Sequence, residues 1–147
     1  MFQYVALAAL AGCLLPLQSL IAARTASVFN GPMMAALVNF AGGTIACLVL
    51  IVLFRIPWPS AEQSGLVPGY GWFAGLFGVF FVAQAAFTVP KLGAAGMIAL
   101  VVAGQMVGSI VLDHFGVLQQ AHPISLQKLL GALLLCIGVM LILRPGN

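Results

Sequence analysis

The sequence predicts an all-α membrane protein of five transmembrane helices, with a charge division that leaves open a pairing with an inverted (antiparallel, dual-topology) copy of itself. Three observations lead there. Of the 147 residues, 63% are hydrophobic and 5% charged, whereas soluble domains carry about a quarter charged residues. The apolar residues gather in five stretches, each near the roughly 20 residues a helix needs to cross the hydrocarbon. The few basic residues are shared almost evenly between the two ends of those stretches.

The expected spans run over about 2–23, 32–54, 71–89, 92–112 and 125–143, within a single transmembrane domain of residues 1–147. The first is expected to be retained rather than cleaved, because it lacks a positive leader and is too long for a signal core. Lys128 is the one charge inside a span; it lies in the first turn, where it can snorkel to the headgroups. The alternating short segments of a membrane barrel are absent.

Arg24–Gly31 and Pro90–Lys91 make short connections on one side, X; Arg55–Tyr70 and Asp113–Ile124 make longer ones on the other, Y. Trp58, Tyr70 and Trp72 cluster near side Y as an interfacial aromatic belt. Pro57, Pro59 and Pro68 are expected to break any helix between spans two and three. Side X holds Arg24, Lys91 and Arg144, and side Y holds Arg55 and Lys128. Positive charge normally orients a membrane chain, and here it has little to act on. Either the small side-X excess suffices for one orientation, or the chain inserts both ways.

Polar side chains are costly in lipid, so those inside spans are informative. Gln18, Asn39, Gln84 and Gln105 are four such amides. The helical rise puts the first three roughly 8–11 Å below side X, with Gln105 past the midplane. Small residues share a face with Gln18 (Ala8, Ala11, Gly12, Ala22) and with Asn39 (Ala35, Gly42, Gly43, Ala46). Such faces mark close helix contact or a cavity wall. Pro16 removes a backbone bond just before Gln18. Pro16, Gly42 and Gly43 are therefore expected as hinge or packing positions.

Gln84 shares its side of the helix with Phe77, Phe80 and Phe81. Facing inward, these rings would form an apolar wall of a substrate site with Gln18 and Asn39; otherwise they face lipid. Gly104, Gln105 and Gly108 read as a packing seam with an interhelical amide bond. No Asp or Glu lies in any span, and Asp113 and His114, at the side-Y end of span four, are the candidates for a proton-linked role.

Enzyme chemistry finds no support. Asp113, His114 and His122 match no zinc spacing, so no metal or other cofactor is expected. No Ser/His/acid set or phosphate loop occurs. Cys13, Cys47 and Cys136 lie in apolar runs as packing residues. The basic residues are scattered singly, which excludes a nucleic-acid partner.

Pro-Lys-Leu-Gly-Ala-Ala (90–95), Ile-Ala-Leu-Val-Val-Ala-Gly-Gln (98–105) and Leu-Asp-His-Phe-Gly (112–116) form one specific block. With Pro16-Leu-Gln18 and Leu129-Leu-Gly131-Ala-Leu-Leu, it resembles the YdcZ-like family of the drug/metabolite transporter superfamily over essentially the whole chain. The resemblance implies a short five-span chain in the bacterial inner membrane, acting as a dimer. It implies a secondary transporter, an exporter of a small metabolite or lipophilic compound working by alternating access. The competing expectation is a non-transporting scaffold or subunit of a hetero-oligomeric complex. In the family an Asn often follows the Pro-x-Gln element by four residues; here Ala22 stands there. The expected partners are the lipid bilayer, an inverted copy and a small-molecule substrate. Substrate identity, coupling ion and direction are not legible in the sequence.

Overall fold

A computed structural model describes residues 1–117 and 125–144 of the chain; His122 lies outside them. The described residues form helices and no strands. They are α1 (Phe2–Val28), α2 (Pro32–Leu53), a one-turn α3 (Ala61–Gly65), a 3-10 turn (Gly69–Phe73), α4 (Ala74–Phe115) and α5 (Leu126–Leu143). Four helices among the described residues are long and apolar enough to cross a membrane. This is an all-α membrane protein.

α1 continues to Val28, so Arg24 lies in helix rather than in the connection. Its end is set by Asn30 at φ 58, after which the Gly31 N–H reaches back to the Ala26 carbonyl at 2.9 Å. That is the left-handed cap with a long back-bond that satisfies terminal carbonyls. Pro32 then opens α2 at the first turn, where its missing N–H costs nothing. α2 ends the same way, with Arg55 at φ 51 and the Ile56 N–H on the Ile51 carbonyl.

The prolines between the second and third apolar stretches bracket a helix rather than excluding one. Ser60 caps α3 by accepting from the Gln63 N–H, and the Gln63 side chain accepts from the Ser60 N–H. This reciprocal box needs only Ser-x-x-Gln and fits between Pro59 and Pro68.

α4 is 42 residues long, about 63 Å at the helical rise and twice a bilayer core. It breaks once, and not at the expected Pro90–Lys91. Pro90 stays within helical backbone, and the break falls at Gly93, φ 72 and ψ 162. That conformation is open essentially to Gly alone. The break leaves two arms, each close to spanning length.

The chain forms two compact units: a central one, Leu17–Pro90, and a terminal one, Met1–Pro16 with Lys91–Asn147. The central unit closes on Ala22, Ala35, Ala36, Val82 and Ala86. Alanines let helix backbones approach closely, which is how membrane helices gain packing energy when lipid offers no hydrophobic drive. The terminal unit buries Met97, Ala132 and Val139.

Candidate functional site

Within the central unit, Gln18 and Asn39 meet. The Gln18 amide Nε2–H donates to Asn39 Oδ1 at 3.2 Å, joining α1 to α2 in partly buried surroundings. The alanine contact makes this possible: Ala22 lies one turn beyond Gln18 and Ala35 one turn before Asn39, and both are buried. Ala22 is 4% exposed against that contact, so a larger side chain there would have to displace a neighbouring helix. One bond uses part of what two amides offer. Each carries two donors and an acceptor oxygen with two lone pairs.

A surface hollow of about 430 Å³ begins at Asn39 and runs along α2 past Phe40, Gly43, Thr44, Cys47 and Leu48. Its polar groups are few. The Thr44 hydroxyl donates to the Phe40 carbonyl at 2.8 Å, leaving its oxygen lone pairs toward the surroundings. Gly78 on α4 shapes the neighbourhood: a Cβ there would lie 2.7 Å from Phe40 Cζ. The bare Gly78 backbone thus lets the Phe40 ring lie over α4. Sequence reading passed over Gly78 and Phe40, because a glycine between Leu76 and Phe80 carries no periodic signal.

Gln84 is held within its own helix. The Thr88 hydroxyl donates to the Gln84 carbonyl and lies 3.2 Å from its Oε1. The expected phenylalanine wall does not form in the chain itself. Phe77 and Phe80 are 79% and 73% exposed, and only Phe81 turns to the core cluster. The interior side of α4 is taken instead by Val82, Ala85, Ala86 and Val89. In a bilayer, exposed rings are compatible with lipid contact at no cost.

Gly104, Gln105 and Gly108 are exposed, and nothing lies within 4 Å of a Cβ built on either glycine. The expected seam has no partner helix among the described residues. Gly42 and Gly43 are likewise exposed and lie in unbroken α2. Pro16 sits in α1 without ending it and lines an apolar groove of the terminal unit. Asp113 Oδ2 is 3.5 Å from Lys128 Nζ, tying the end of α4 to the start of α5. The His114 ring packs edge-on against Phe115 at 5.2 Å. Among the described residues no group of three metal-ligating side chains assembles.

Comparison with known proteins follows the same lines. The model of a family described as "Putative inner membrane exporter, YdcZ" matches residues 3–141. Inner membrane protein YdcZ of Escherichia coli (strain K12) is 34% identical over 146 residues, covering 88% of this chain and 95% of that protein. No solved structure matches.

Proposed function

The chain belongs to the YdcZ family of inner membrane exporters, and from that premise we propose a secondary transporter that exports a small metabolite or lipophilic compound by alternating access. It is a multi-pass protein of the bacterial inner membrane. The reading is carried by the Gln18–Asn39 bond beside the α2 hollow. Two amides in hydrocarbon are costly unless satisfied, and this pair retains hydrogen-bonding capacity next to open space. A solute entering the hollow meets Asn39 and Thr44 as polar contacts and Phe40 as an apolar one. Pro16 and the Gly42–Gly43 pair remain the proposed points of bending.

The working unit is proposed as an antiparallel homodimer whose chains each cross the membrane five times. Two features support pairing. The basic residues are divided three to two between the sides, and Gln105 stands exposed between two glycines on α4. A second copy laid on that face would satisfy the amide and use the glycines for close approach. Proton coupling through Asp113 and His114 belongs to the same proposal, with Lys128 as the competing partner of the carboxylate.

The direct bond itself favours a second reading, in which the amides only join helices of a non-transporting subunit. Flux separates the two. In proteoliposomes loaded with radiolabelled metabolites or lipophilic dyes, Gln18→Ala and Asn39→Ala should abolish efflux while cross-linked dimers persist. Normal efflux in both variants removes the amides from the site. Loss of the dimer with no solute moved by the wild type favours the subunit.

A further inference from the structure

The terminal unit contains a groove of about 530 Å³ that is separate from the proposed solute site at Gln18 and Asn39. Pro16 of α1, Ala95 and Ala99 of α4, and Leu135, Gly138 and Ile142 of α5 are among its walls, and every lining residue is apolar. Small side chains create it. A Cβ built on Gly138 meets nothing within 4 Å. Along α4 the walls run from Ala94 to Val102, about 12 Å at the helical rise and most of one leaflet's depth of roughly 15 Å.

One end of this groove is basic. A Cβ on Gly96 would lie 3.1 Å from Leu143 Cδ2 and 3.6 Å from Leu92 Cβ. The C-terminal end of α5 therefore lies beside the start of the second arm of α4. Lys91 precedes Leu92 and Arg144 follows Leu143, so both cations stand at that end, and both are exposed. Residues Ala94, Ala95 and Ile142 of the groove lie within a turn of them.

An apolar groove offers water no polar partners, and left empty it forfeits the dispersion contacts of its walls. Inside a bilayer the nearest filler is an acyl chain. Two cations at one end add a preference for a negative headgroup, as basic recesses between membrane helices do for anionic lipids. We propose that this groove seats one acyl chain of an anionic phospholipid whose phosphate is held by Lys91 and Arg144. A helix of a second copy is a poorer fit for this basic end, since the chain has two acids in all and one of them, Asp113, lies beside Lys128.

The test uses the full chain in phosphatidylcholine vesicles doped with one of two photoactivatable probes. These are phosphatidylglycerol or phosphatidylcholine carrying a diazirine on the acyl chain. Mass spectrometry of wild-type protein should find phosphatidylglycerol label on 94–102 and 135–142, severalfold above phosphatidylcholine label and above label on the exposed Phe77 and Phe80. Gly138→Leu, which fills the groove, should remove that label. Lys91→Gln with Arg144→Gln should equalise the two probes while leaving groove labelling by either. Equal labelling by the two lipids in wild type overturns the proposal, as does groove labelling no greater than at Phe77 and Phe80. An unlabelled groove, as a second copy seated there would produce, overturns it too. Should Gly138→Leu fail to fold, the charge variant decides alone. Gln18→Ala should leave the label unchanged, which keeps this site separable from the transport site.

Discussion

The two halves of α2 carry the same kind of residue and meet opposite fates. Ala35 and Ala36 are 1% exposed, packed on Ala22, Val82 and Ala86. Gly42 and Gly43, about two turns further along, have nothing within 4 Å, and residues 41–50 are exposed throughout. Small residues at helical spacing permit close contact but do not supply the partner. In the first half α1 and α4 are present to use the opening. In the second half no helix among the described residues packs on it, so in a bilayer that face is left to lipid or to another protein surface. Asn39 stands at the boundary, bonded to Gln18 on the packed side and lining the hollow on the open side.

The sharpest test of that contrast is a matched pair of overpacking substitutions. Ala36→Leu should destabilise the helical state by about 1–3 kcal/mol, the usual cost of extra methylenes in a filled core. Ala46→Leu, on the exposed half, should stay within about 0.5 kcal/mol. Thermal unfolding followed by circular dichroism in detergent measures both. An equal cost at Ala46 would mean that a second copy packs there, and the contrast would be one between intra- and interchain contacts.

A smaller effect belongs to the boundary itself. A double-mutant cycle over Gln18→Ala and Asn39→Ala should return a coupling of about 0.6 kcal/mol, with about 1.7 as an upper bound for such bonds in membranes. No coupling would detach Asn39 from the packed side and leave it wholly to the hollow. The smallest effect is expected at the Asp113–Lys128 pair. Its side chains are 30% and 43% exposed, so Asp113→Asn should cost at most about 1 kcal/mol and lose that effect in high salt. A larger, salt-insensitive loss would show that the α4–α5 end is closed off from water.

Much of the fold was legible because the solvent demands it. Apolar runs near spanning length are local signals that need no knowledge of neighbours, whereas the one-turn α3 capped by Ser60 and Gln63 was missed because the flanking prolines argued against any helix there. The break in α4 was legible only in part. Pro90 drew the reading three residues early, because a proline weakens a helix visibly in sequence while the backbone angle that turns Gly93 does not. The candidate site divided likewise. Gln18 and Asn39 shared a predicted depth and both had small-residue faces, and they meet. The Phe77–Phe80 side of α4 looked equally suited to line a cavity, yet Val82 and Ala86 take the interior.

Sequence by itself determined that this chain lives in lipid, which long apolar stretches are helical and which amides must be satisfied there. Those follow from the cost of bare backbone and polar groups in hydrocarbon, which each segment meets alone. Tertiary structure alone decided that Gln18 reaches Asn39, that Phe40 lies over Gly78, and that Gly104 and Gly108 meet no other helix among the described residues. Side-chain pairing depends on the rotation and spacing of two helices at once, and a periodic pattern in one helix contains neither.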